Sequence, residues 1–171
     1  MLIESNTQKF LSLIFKFPTK GLTIREIARL IKVSPPTAST LANNLEKGDL
    51  IKIKKEKVQY KVFGNLENEY FRKLKRIYNL FFLLDLTNFL VKKFEPNAIT
   101  VFGSYSKGED TEDSDIDVFI DSVLRKEIDL QKFEKQLNRR IHLHVKDIKK
   151  IPKELRKNII NGIILYGFLE C

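Results

Sequence analysis

The sequence predicts an α+β chain of two unlike modules joined by a long helix. Three observations lead there. Residues 23–48 alternate helix-cap signals with apolar residues at helical spacing, then give way to a lysine-rich stretch of strand periodicity. Residues 65–94 contain no Pro or Gly and are apolar nearly all round a helix. From Ala98 onward the helical period yields to short apolar strands, the first ending in a Gly-Ser turn with a run of acids beyond it. With 171 residues, 43% of them apolar, the chain can bury real cores in one domain or two small ones. The expected parts are 1–64, a connecting helix over 65–96, and 97–171.

Charge divides the chain in the same way. Residues 1–64 carry twelve Lys and Arg against five Asp and Glu, whereas residues 97–171 carry thirteen of each. The positive bias of the first part suits either a polyanion partner, because Lys and Arg neutralise phosphates and release counterions, or a solvated Lys-rich surface. Cys171 is the single cysteine, which argues against a disulfide framework or a cysteine metal site. No leader pattern opens the sequence. The most apolar run, from Leu80, is short and broken by Asp85, so a cytoplasmic protein with no membrane span is expected.

In the first part, Thr23-Ile-Arg-Glu26 is a capping box that should start a helix carrying Ile27, Leu30 and Ile31 inward. Ser34-Pro35 caps a second helix after a very short turn, with Ala38, Leu41, Ala42 and Leu45 on its apolar face and Gly48 at its end. Thr37, Ser39, Thr40, Asn43, Asn44 and Lys47 lie on its other faces. Ile51 and Ile53 then alternate with Lys52 and Lys54, a turn falls near Lys55–Lys57, and Val58–Phe63 reads as the return strand.

This order resembles the winged helix-turn-helix domains of prokaryotic transcription regulators. The resemblance implies DNA binding, with the second helix in the major groove and Lys52, Lys54 and Lys57 on the backbone. The residue types suit it: Asn pairs with adenine, Ser and Thr reach bases or phosphates, and lysines meet phosphates. A domain of this shape that docks a protein or forms a dimer is the alternative. For the connecting helix, a stripe of Tyr70, Leu74, Ile77, Phe81 and Leu84 is expected to be buried, under the second module, between modules, or in a homodimer, and Glu95-Pro96 should stop it.

The second part holds the chemistry. Ala98–Phe102 reads as a strand running into Gly103-Ser104, with one turn of helix expected over Ser106–Gly108. Glycine lets backbone approach a phosphate closely, and exposed amides and the serine hydroxyl donate to its oxygens. Ten residues separate Ser104 from Asp115-Ile116-Asp117, whose alternation sets both carboxylates on one face. Seven acids and no Lys or Arg fall between Glu109 and Asp121. Two adjacent carboxylates repel each other until a cation such as Mg²⁺ bridges them, taking its other ligands from nucleotide phosphates and water. Glu109, Asp110, Glu112 and Asp113 read as solvated loop residues.

Gly-Ser, ten residues and Asp-x-Asp together resemble the minimal nucleotidyltransferases of the DNA polymerase β superfamily, and Gly108, Ser114 and the tail NIINGIILYG fit the same pattern. The resemblance implies a small mixed sheet with packed helices. It implies that Gly103, Ser104 and Lys107 bind the nucleoside triphosphate and that Asp115 and Asp117 ligate Mg²⁺ or Mn²⁺. The family's third carboxylate falls on a later strand. In Arg139–Val145 that place is taken by His142, with His144 on the same face and Asp147 out of register. Nucleoside monophosphate transfer to a protein or nucleic acid is the implied reaction, and an antitoxin acting on a HEPN-type toxin is one implied setting. A catalytically weak, nucleotide-sensing DNA-binding regulator is the rival, favoured by His142.

Overall fold

The computed structural model describes residues 5–170, so Cys171 lies outside the described residues. The chain forms two compact units that divide between Lys75 and Arg76.

The first unit begins with helix α1 (Asn6–Lys16), capped reciprocally by Ser5 and Gln8. Strand β1 (Leu22–Thr23) leads directly into α2 (Ile24–Ile31). The Thr23 amide donates to the Glu26 carboxylate at 2.7 Å and the Glu26 amide donates to the Thr23 hydroxyl at 3.3 Å, so the expected capping box is present. Lys32 closes α2 at φ 59°, and α3 (Pro35–Lys47) starts at once, with the Ser34 hydroxyl accepting from the Thr37 amide. Strands β2 (Ile51–Glu56) and β3 (Gln59–Gly64) pair antiparallel around a two-residue turn, Lys57-Val58. The turn is one residue later than the sequence suggests because Lys57 adopts φ 54° and Glu56 still pairs with Gln59. Phe10, Ile14, Ile27, Ile31, Ala38, Ala42, Leu45, Ile51 and Val62 are buried, whereas Leu30, expected inside, is exposed. β1 adds a third strand beside β3, giving the order β1-β3-β2.

The long helix expected over 65–96 is two helices, α4 (Glu69–Phe82) and α5 (Leu84–Phe94), with the unit division falling inside α4. The break needs no Pro or Gly. At Leu83 the amide bonds three residues back to Leu80, a tightening that separates the two helices, and Leu83, Leu86, Leu90 and Phe94 are buried together. Within the single chain the Tyr70 stripe is not the buried face of α4. Tyr70, Ile77, Phe81 and Leu84 are exposed, and α4 buries Phe71, Lys75 and Asn79 instead. Phe71 packs against Phe15 with the rings tilted, and Asn79 has polar partners that hydropathy does not register.

In the second unit β4 (Ala98–Phe102), α6 (Gly103–Lys107), β5 (Ile116–Asp121), α7 (Gln131–Leu137), β6 (Ile141–Lys146), α8 (Lys153–Ile160) and β7 (Ile163–Gly167) follow α5. Their sheet has the order β6-β5-β4-β7, parallel only between β5 and β6, and so is mixed. Alternation along the strands sorts the faces. Ile99, Val101, Ile116, Val118, Ile120 and Ile141 join Leu86, Leu90, Phe94 and Phe133 in one core, while Phe102 and Phe119 face a second with Ile148, Ile151 and Ile159. Asp117, His142 and His144 have the parity of Phe119 and Phe102, on the thinner core's side. Among the described residues no helix is long and apolar enough to cross a membrane.

Candidate active site

β4 ends at Phe102, and Gly103 turns the chain at φ 73°, a left-handed conformation that costs a residue with a Cβ. A Cβ there would lie 3.0 Å from Asp117 Oδ2, so glycine is what lets the turn and the Asp117 carboxylate come together. Helix α6 starts at Gly103, three residues earlier than the sequence suggests, because this turn itself enters the helix. The Ser106 hydroxyl donates to the Gly103 carbonyl, and Gly108 ends the helix in the left-handed region. Ser104 therefore sits in the first turn. Lys107 is exposed at the last position of the helix.

Asp115 immediately precedes β5 and Asp117 is its second residue. Parallel pairing sets Asp117 opposite His142 and Phe119 opposite His144. His142 Nε2 lies 3.7 Å from Asp115 Oδ2, its Nδ1 lies 3.8 Å from Asp117 Oδ1, and His144 Nε2 approaches the same Asp117 oxygen at 3.8 Å. The His144 ring packs against Phe102. Asp147, the alternative third carboxylate, stands beyond the far end of β6, accepting from the Lys149 amide. There it joins Asp121, Asn97 and Phe168 around a cavity of about 300 Å³, away from the Asp115 end of β5. Asp121 is committed to structure, since it accepts from the Ile148 amide at 3.0 Å.

Two hard carboxylates beside a Gly-Ser turn fit a divalent cation that shares its shell with a nucleotide's phosphates. Asp115 and Asp117 would hold it, and the bound cation would supply charge neutralisation for the phosphates. The imidazoles suit Mg²⁺ poorly, because that ion prefers oxygen, and Mn²⁺ better. Among the described residues no group of three or more His, Cys, Asp or Glu is set to hold a metal ion.

Sequence reasoning missed a buried polar cluster in this unit. Asp110, read as a solvated loop acid, is 1% exposed. It accepts from Asn79 Nδ2 at 2.8 Å, the same amide donates to the Tyr105 carbonyl at 3.0 Å, and Arg139 lies 3.8 Å from its other oxygen. Burial, with the Asp110 carboxylate alongside, pushes the Tyr105 hydroxyl far above its usual range. The available signals were slight: an Asn in an apolar helix and an Arg just before a strand.

The first unit carries its candidates separately. Thr37, Thr40, Asn43, Asn44 and Lys47 are exposed on α3 and Ser39 is half-buried. The Thr37 and Thr40 hydroxyls are engaged locally, with Ser34 and with the Pro36 carbonyl. On the hairpin Lys52 is ion-paired with Glu67, whose carboxyl that ammonium holds below its usual range, and Lys54 lies over the Phe63 ring. Lys57 stands at the turn.

The small mixed sheet, with its Gly-Ser turn beside an aspartate-bearing strand, is consistent with an α+β nucleotidyltransferase fold. Residues 85–168 match the family described as Polymerase beta, Nucleotidyltransferase, and the match supports the nucleotidyltransferase superfamily for that part of the chain. Among curated proteins none matches the chain.

Proposed function

We propose that the second unit binds a nucleoside triphosphate with Mg²⁺ or Mn²⁺ and transfers the nucleoside monophosphate to a hydroxyl of a protein or nucleic-acid acceptor. The observation that supports this reading is the approach of Asp117 to Gly103, which brings a carboxylate suited to a cation beside a turn suited to a phosphate. Gly103 and Ser104 bind the phosphates with Lys107 at their edge, and Asp115 and Asp117 take the cation. The acceptor oxygen bonds to the α-phosphorus, the α–β anhydride bond breaks, pyrophosphate leaves with the electron pair, and the hydroxyl proton passes to solvent. His142 completes the carboxylate edge in place of a third acid.

The first unit, on this reading, is a winged helix-turn-helix that binds duplex DNA through α3 and the hairpin lysines. Its helix order, short turn and basic hairpin support this. A self-regulating cytoplasmic antitoxin is the setting we favour. Its HEPN-type toxin, or a second copy, would cover the exposed Ile77, Phe81 and Leu84. One observation favours a second reading, a weakly catalytic nucleotide sensor: the residue opposite Asp117 is a histidine.

Incubation with labelled ATP, Mg²⁺ or Mn²⁺ and separate protein, RNA and DNA acceptors tests both. Transfer lost in Asp115→Asn/Asp117→Asn supports the enzyme. Metal-dependent ATP binding without transfer supports the sensor, and equal Mg–ATP affinity in wild type and double variant sinks the site assignment.

A further inference from the structure

We propose that Asn79, Asp110 and Arg139 form a positioning device that holds the candidate site's three backbone segments in register. This rests on the nucleotide reading of that site. Asp110 is 1%, Asn79 3% and the Arg139 side chain 5% exposed, which is unusual for a carboxylate and a guanidinium. Replacing such a buried pair with well-packed apolar side chains often leaves a fold as stable or more so, so stability alone is a weak reason for it to be there. Its connections supply a better one.

Through one amide, Asn79 holds the Tyr105 carbonyl, in the middle of the helix carrying Ser104, and the Asp110 carboxylate. From Asp110 the chain closes a compact turn, with the Thr111 amide donating to the Ser114 hydroxyl at 2.9 Å and the Ser114 amide to the Thr111 carbonyl, and delivers Asp115. Arg139 meets Asp110 from just before β6. The carbonyl of the next residue, Arg140, accepts from the Ile116 amide at 2.9 Å, which locks Asp115–Asp117 against the strand that bears His142. Segments 103–107, 110–117 and 139–142 thus share one buried anchor. A carboxylate pair must keep its spacing to share a cation, and groups that orient ligands this way contribute about 10–100-fold to metal affinity.

The test uses the full chain, comparing Asp110→Asn and Asn79→Ala with Leu90→Val, a core substitution in α5 that serves as the stability control. Amide hydrogen exchange over residues 104–116 and Mn²⁺–ATP affinity by calorimetry are read for each. The expected result is faster exchange in that segment and affinity about 10–100-fold weaker for Asp110→Asn, with neither change in Leu90→Val. Asn79→Ala keeps the Asp110–Arg139 pair and carries the same comparison if Asp110→Asn does not fold. Exchange and affinity indistinguishable from the control overturn the proposal. If the wild type binds no Mn²⁺–ATP, the nucleotide reading fails, and the exchange comparison by itself supports or overturns the cluster's hold on the loop.

Discussion

His142 stands directly opposite Asp117 across the parallel β5–β6 pair, its Nδ1 3.8 Å from the Asp117 carboxylate. An imidazole thus occupies the cross-strand position beside the aspartate pair. His142→Asp, which supplies a hard oxygen there, is expected to raise Mg²⁺-supported transfer while altering nucleotide affinity far less, the mark of an interaction felt mainly in the transition state. Single-turnover rates beside calorimetric affinities measure this. Rapid wild-type transfer that neither His142→Asp nor His142→Ala changes would assign the role elsewhere.

Gly103→Ala tests the turn. The left-handed φ costs a residue with a Cβ about 1–2 kcal/mol, and the methyl would push on Asp117 at 3.0 Å. Denaturant melts should show a loss of that size, and Mg–ATP binding should fall further than stability accounts for. Wild-type affinity in the variant would remove the turn from the site.

On the hairpin the lysines should be unequal. Lys57→Gln and Lys54→Gln are expected to weaken duplex binding and to lower its salt slope by about 0.9 for each phosphate left without its lysine. Lys52→Gln should change less, since its ammonium is already engaged by Glu67. A salt titration that none of the three alters would make this unit a protein-docking module.

The capping box sets a pH limb. The Thr23 amide, then the Thr23 hydroxyl, then the nearby Arg29 hold the Glu26 carboxyl below its usual value. Its contribution is therefore complete above the unfolded carboxyl's pKa, near 4.5, and is lost as pH falls through the lower folded value. Glu26→Gln should flatten that part of the acid unfolding curve. Thr23→Ala should cost about 1 kcal/mol at neutral pH, and an unchanged melt would place α2's stability in packing alone.

What the sequence determined by itself is local or periodic. Thr23 with Glu26, Ser34 with Pro35, and Gly48 mark helix ends because a cap satisfies amides within three residues of itself, whereas Gly103-Ser104 and Asp115-x-Asp117 stood out through a family resemblance at a fixed spacing. Strand alternation also put His142 and His144 on one face. Tertiary structure decided the rest. Whether Tyr70, Ile77 and Phe81 or Phe71, Lys75 and Asn79 turn inward depends on what packs against α4, and the helical period allows either. Asp110 looks like its solvated neighbours in the acidic run, yet it is buried because Asn79, thirty-one residues earlier, and Arg139 converge on it. The break at Leu83 and the strand order follow the same rule. They depend on which distant surfaces close over one another, and partners so far apart leave no periodic trace in the chain.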